Sequence, residues 1–137
     1  MPEKNDEAAT DDLSLRELTR WAEGQARHIA EKFKLGPSAD GDNAFFALAQ
    51  AVKLGEEVGE LHAEVLGALR CQRTDKSGDY NLGTLGGEFA DVTICLAILA
   101  HTLNVDLAKA VKDKIDDLDR RHAADQLTRL AQDLGLY

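Results

Sequence analysis

The sequence predicts an all-α domain of four helices, and three observations carry that expectation. Apolar residues make up 44% of the 137 residues while aromatics make up only 5%. Ala, Leu, Asp and Glu dominate, which favours packed helices over a sheet. Helix-start residues stand immediately before the apolar-periodic runs, and only two prolines occur to interrupt them. No segment shows the alternation of a strand, and no internal repeat is visible.

Residues 1–11, MPEKNDEAATD, are charged and small and read as a disordered acidic tail. Residues 12–137 then form a single domain, a length that suits one core and not two. The first helix starts near Ser14, where SLRE supplies an N-cap serine and, three residues on, the glutamate of a capping box. It should run to about Lys34. The stretch LGPSADGDN, residues 35–43, concentrates Gly, Pro, Ser and Asp and reads as a loop. A long second helix follows from Ala44 to about Gln72. RTDKSGDYNLG, residues 73–83, loses all periodicity and reads as a connecting loop, after which Thr84 is placed to cap the third helix. That helix, about Leu85 to Leu103, is apolar nearly all round, with Leu85, Phe89, Val92, Ile94, Leu96, Ile98 and Leu99 leaving no wet face. Such a helix is expected to be central and buried. Asp106 is a good N-cap for a fourth helix from Leu107 to about Leu134, where Gly135 stops it.

The formal net charge of -9 makes duplex nucleic acid an unsuitable partner, because no run of Lys and Arg reverses the repulsion locally. Small phosphorylated ligands remain compatible, since an acidic site can hold a divalent cation that inverts the local sign. Cys71 and Cys95 show no metal or disulfide spacing, which fits a reducing, cytoplasmic setting. The N-terminal stretch lacks the apolar segment of a signal peptide, and the longest apolar run, Val92 to Ala100, is too short to span a bilayer. A soluble protein is expected, with no membrane partner.

The carboxylates carry the functional signal. On a helix each residue advances by about 100°, so Lys53, Glu57, Glu60 and Glu64 share one arc of about 60° that borders Leu54, Leu61 and Val65. The acids therefore lie beside the core. Glu56 sits at the margin of this arc, within reach of Lys53. On the third helix Glu88 and Asp91 are the only charged residues, three apart and so on one face. Ionised side chains are costly to bury unpaired. If the second and third helices pack side by side, Glu57, Glu60, Glu88 and Asp91 converge, and a hard divalent ion, Mg²⁺ or alternatively Mn²⁺, is the simplest way to relieve their repulsion. Glu56, adjacent to the cluster but offset from it, is the candidate for orienting or deprotonating a water. The competing interpretation is a solvated face on the second helix and acids placed favourably at the N-terminal dipole of the third.

The pattern EExxE, here Glu56, Glu57 and Glu60, followed by ExxD, here Glu88 and Asp91, resembles the signature of the MazG-like all-α nucleoside triphosphate pyrophosphohydrolases. The stretches AVKLGEEVGELHAEV and GGEFADVTICLAILAHTLNVDLAKAV extend the resemblance over residues 44 to 121. It implies a four-helix MazG-like bundle assembled into a homodimer or homotetramer, with Glu57, Glu60, Glu88 and Asp91 as Mg²⁺ ligands. It further implies that Lys53 contacts the triphosphate and assists the reaction, and that Lys114 and Arg121 neutralise phosphate oxygens. Many members carry an asparagine four residues after that lysine, where this chain has Leu118. The 27 residues between Glu60 and Glu88 are near the long end for the family. The implied reaction is hydrolysis between the α and β phosphates of an NTP or dNTP, giving a monophosphate and pyrophosphate.

Other residues have plainer roles in prospect. Gly55, Gly59, Ala63 and Gly67 recur every fourth residue as a smooth ridge on the second helix, and the cost of each helical glycine is best offset by close approach of another helix in a homo-oligomer. Gly83, Gly86 and Gly87 are expected to precede the third helix and could aim backbone N–H groups at phosphate, although packing is the commoner reason for such glycines. Trp21, Phe33, Phe45, Phe46 and Tyr80 could stack on a base and more often act as core or loop anchors. His28, His62, His101 and His122 have no metal spacing and are expected at the surface or an interface, and Cys95 is expected as a small core residue. A ferritin-like di-iron bundle wants Glu-x-x-His, which does not occur here. A non-catalytic helical oligomer or partner-binding module with a regulatory cation site is the remaining alternative.

Overall fold

Ser14 opens the first helix as its spacing requires. Its hydroxyl accepts from the backbone N–H of Glu17, while the Glu17 carboxylate accepts from the Ser14 backbone N–H at 2.7 Å, closing the capping box. In the computed structural model, which describes residues 12–35, 43–71 and 82–136, four helices follow one another: α1 Leu15–Phe33, α2 Ala44–Ala68, α3 Leu82–Thr102 and α4 Leu107–Asp133. No strand occurs among the described residues. The expected tail at 1–11 lies outside them, as do Tyr80 and most of the two loops.

All four helices leave by the same device. At the end of α2 the Cys71 N–H donates to the Leu66 carbonyl and the Arg70 N–H to the Gly67 carbonyl, the paired bonds of a Schellman turn, with Arg70 in the left-handed region at φ 54°. The same pair of bonds closes α1 around Lys34, α3 around Asn104 and α4 around Gly135. Only the last of these is a glycine. That explains why the end of α2 differs from the expectation: it stops at Ala68, four residues short of Gln72, at a left-handed position occupied by an arginine that carries no sequence signal for one. At the other side of the connection α3 begins at Leu82, so Leu82 and Gly83 are helical and not loop. Thr84 lies in its first turn instead of capping it, and Gly86 and Gly87 also lie within the helix and do not precede it.

The core is formed by Ala22 and Ala26 of α1, Phe46 of α2, and Ala97 and Ile98 of α3, with Leu18, Ile29, Ala30, Leu35, Ile94 and Leu107 packed around them. Small alanines at the α1–α3 contact let the two backbones approach closely, and α3 packs on α1, α2 and α4. It is central, as its all-round apolarity requires. It is not enclosed, however: Phe89, Leu96 and Leu103 remain exposed, because three neighbours cannot cover every side of it. α4 buries no residue. It is fastened at its start, where Asp106 accepts from the Lys109 N–H and pairs with Arg16 at 3.0 Å, and runs on with its own ion pairs, Lys109–Asp113 and Lys112–Asp116 among them.

α3 is the one helix among the described residues long and apolar enough, by length and composition, to cross a bilayer. It carries two carboxylates and packs on three other helices, and an acid at bilayer depth costs about 2.5–3.5 kcal/mol on insertion scales.

Of the expected anchors among the described residues only Phe46 is buried, while Trp21, Phe33 and Phe45 stand half or more exposed, a departure from the core or loop role. His28, His62, His101 and His122 are exposed and Cys95 is buried, both as expected.

Candidate metal centre

α2 and α3 form the most extensive helix pair in the structure, and their shared face is where the carboxylates meet. One oxygen each from Glu57, Glu88 and Asp91 lies within 4.8 Å of the other two. The order of the neighbours gives the helix direction. Glu88 feels the charges of Glu60 and Glu64, whereas Cys95, two turns on, feels Glu57 and Lys53. The two helices therefore run antiparallel, and the acids of each come to lie opposite those of the other.

Glu57 is buried and is held by Lys53, whose Nζ donates to Glu57 Oε1 at 2.6 Å and to Glu56 Oε2 at 2.9 Å. Those two bonds push the Lys53 ammonium pKa up, the contact with Glu57 acting most strongly. Lys53 is thus already engaged as the counter-ion of the cluster. Glu56 lies at the solvent edge, as its offset from the arc requires.

Glu88 is half-buried and its Oε2 has no hydrogen-bond partner among the described residues. Its pKa is raised above the usual carboxylate range, first by loss of water and then by the charges of Glu60, Asp91, Glu64 and Glu57. Glu64 Oε2 is orphaned in the same way. Buried oxygens without donors call for a cation, a water or a proton to satisfy them. The donor set, carboxylate oxygen throughout, suits a hard cation. Cys95, one turn beyond Asp91, has its thiol pKa pushed up by burial and by the charge of Glu57. It stays a neutral, small wall of the site.

Three of the four expected ligands, Glu57, Glu88 and Asp91, are brought together. Glu60 is exposed and is not one of the three that share the 4.8 Å spacing, although it acts on Glu88 through its charge. Glu64 was legible as a member of the arc but had no role assigned to it. The signal for one was its spacing, four residues after Glu60 on the same helix face. Lys114 and Arg121 lie on the exposed face of α4. Arg121 pairs with Asp117 at 3.2 Å and Lys114 has no ion-pair partner among the described residues. Among the described residues no hydrogen bond or ion pair links either to the carboxylates.

Compared with protein-family models, curated proteins and solved structures, the chain matches none. The site is read from its own residues.

Proposed function

We propose that the protein is a cytoplasmic, Mg²⁺-dependent nucleoside triphosphate pyrophosphohydrolase of the MazG-like kind, built on a four-helix bundle that completes itself as a homo-oligomer. The observation that supports this reading is the meeting of Glu57, Glu88 and Asp91 from two helices, with partnerless buried oxygens on Glu88 and Glu64. Mg²⁺, or Mn²⁺ in its place, would be held by these carboxylates with Glu60 at the rim. When bound, the ion supplies positive charge where the triphosphate carries negative charge and makes the α-phosphorus more electrophilic.

The chain's own residues have the following roles in this reading. Glu56, at the solvent edge and steadied by Lys53, accepts the proton of the attacking water. The water oxygen bonds to the α-phosphorus as the bridging α–β bond breaks, so a monophosphate and pyrophosphate leave. Lys53 stands between Glu56 and Glu57 and can share one N–H with a phosphate oxygen without leaving either acid. Lys114 and Arg121 of α4, the latter exchanging its pairing with Asp117, would meet the outer phosphates, with Leu118 on the same segment.

A second reading, a non-catalytic helical module with a regulatory cation site, is favoured by one observation: among the described residues no hydrogen bond or ion pair ties Lys114 or Arg121 to the carboxylates. One experiment separates the two. Pyrophosphate release is measured from a panel of canonical and modified NTPs and dNTPs, in Mg²⁺ and in EDTA, for the native chain and Glu60→Gln. Pyrophosphate with matching monophosphate, abolished by EDTA and reduced at least about 100-fold in the variant, supports the enzyme. No release from any nucleotide by a folded, cation-binding protein supports the module.

A further inference from the structure

The end of α3 and the turn after it face a polar cleft on α1. Arg16, Arg20, Glu23 and Arg27 of α1 share one arc of about 60°, because each residue advances by about 100°. Three guanidiniums against one carboxylate stand on this side of the helix in a chain of net charge -9, a local reversal that no contiguous run of the sequence displays. Opposite them lie two adjoining cavities. The larger, about 420 Å³, is lined by Arg16, Arg20 and Glu23 together with His101, Asn104 and Asp106. The smaller, about 230 Å³, shares Glu23, His101 and Asn104 with it and continues past Arg27 to Asn43 and Phe46.

The pairing inside the cleft leaves donors over. Asp106 is committed twice, accepting from the Lys109 N–H and pairing with Arg16 Nη1 at 3.0 Å, and Glu23 stands 3.6 Å from Arg27. With those two acids matched to two arginines, Arg20 has no ion-pair partner among the described residues. Glu17, whose charge Arg20 feels, is held in the Ser14 capping box. Among the described residues the side chains of Asn43, His101 and Asn104 make no hydrogen bond either. Arg16 keeps the N–H groups that Asp106 does not take, since a guanidinium carries five. The larger cavity therefore offers two guanidiniums one turn apart and an imidazole from the opposite wall. Donors converging from two walls suit the tetrahedral oxygens of a phosphate, whereas the plane of a carboxylate is satisfied by one guanidinium fork. The smaller cavity offers two amides, which both donate and accept, and at its mouth the acceptor-only carboxylate of Glu23. A neutral body bearing hydroxyls fits there, and a second phosphate would be repelled by Glu23. The space exceeds what a bare ion needs and is that of an ordinary small-molecule site.

We propose that this cleft binds a small sugar phosphate, its phosphate held by Arg16, Arg20 and His101 and its hydroxyls by Glu23, Asn43 and Asn104. The site is separate from the carboxylate centre. His101 lies ten residues beyond Asp91 on α3, which sets it about 15 Å along the helix and about 80° round it, so the cleft and the metal centre can stand or fall separately.

The test titrates ribose 5-phosphate into the full chain and follows backbone amide shifts by NMR. EDTA is present throughout, so that no cation bridges the phosphate to the carboxylates, and salt is kept low to limit screening. The amides of Arg20, Asn104 and Val105 are expected to move and to saturate with a Kd of about 1 mM or tighter, while ribose, which lacks the phosphate, moves none of them. Arg20→Gln, a change on an exposed helix face, should keep the rest of the spectrum and weaken binding by about 10- to 100-fold. His101→Gln should weaken it by about 5-fold, and Glu60→Gln, at the rim of the carboxylate centre, should leave it unchanged. Uridine 5′-monophosphate carries the same sugar phosphate on a base. Whichever of the two binds more tightly names the source of the ligand, and both should depend on Arg20. No saturable shift by about 20 mM, an equal response to ribose, native affinity in Arg20→Gln, or loss of binding in Glu60→Gln would each overturn the proposal.

Discussion

Replacing Glu57 with glutamine tests the metal centre through stability, without reference to turnover. Three oxygens that all lie within 4.8 Å of one another can be no further than about 2.8 Å from a common centre, against the roughly 2.1 Å that Mg²⁺ demands. Each need therefore close by no more than about 0.7 Å, a shift within the reach of carboxylate torsions. An ion among the acids would turn their mutual repulsion into attraction. At a concentration 100 times its dissociation constant, an ion that binds only the folded chain stabilises it by about 2.7 kcal/mol. For a helical domain of this size, with about 2.1 cal/mol/K of unfolding entropy per residue, that raises Tm by about 10 °C. Glutamine preserves the shape and removes one charge. If affinity falls about 100-fold, the same Mg²⁺ concentration contributes only about 0.4 kcal/mol and less than about 2 °C. Thermal unfolding is followed by calorimetry in EDTA and in increasing Mg²⁺, with NaCl matching the ionic strength and Mn²⁺ and Ca²⁺ run alongside. A native chain indifferent to all three ions, or a Glu57→Gln variant that responds as the native chain does, refutes the reasoning.

Protons and cations should compete at the same acids. The Glu88 pKa is raised above its ordinary value of 4.5, so from that pH upward to the raised value the folded chain holds more protons than the unfolded one, and ion-free stability falls as pH rises. In EDTA, Glu88→Gln should melt a few degrees above the native chain at pH 7, and the gap should close toward pH 4.5. Glu17, Asp106 and Asp116 are shifted the other way, so their contributions are present above their ordinary values and are lost as pH falls through the lowered ones; Tm in EDTA should therefore peak between the two windows. Ser14→Ala removes the capping acceptor of α1 and should cost about 1 kcal/mol in denaturant unfolding, with no change in the Mg²⁺ response. Arg70→Gly should stabilise by about 0.5–1 kcal/mol, because glycine takes the left-handed backbone without the Cβ clash; a destabilised variant in urea would show that the arginine side chain has a role of its own.

The number, order and approximate ends of the helices were legible in the chain because they depend on contacts between near neighbours. Ser14 with Glu17, and Asp106 with Lys109, are bonds across three residues, and the arc that collects Glu57, Glu60 and Glu64 is fixed by helical geometry alone. Where a local signal was missing, the reading missed too. The left-handed exit at Arg70 carries no glycine, and α3 starts three residues before the expected Leu85. Which carboxylates of the arc meet Glu88 and Asp91 was decided by the antiparallel registry of α2 on α3: it leaves Glu60 outside the tightest group and leaves an oxygen of Glu64 without a partner. Apolarity told which surfaces of α2 and α3 avoid water but not what covers them. Hydrophobic free energy depends on the area removed from solvent and not on the chain that removes it, so only the tertiary packing could show that the protomer leaves Phe45, Leu48, Val52 and Phe89 uncovered.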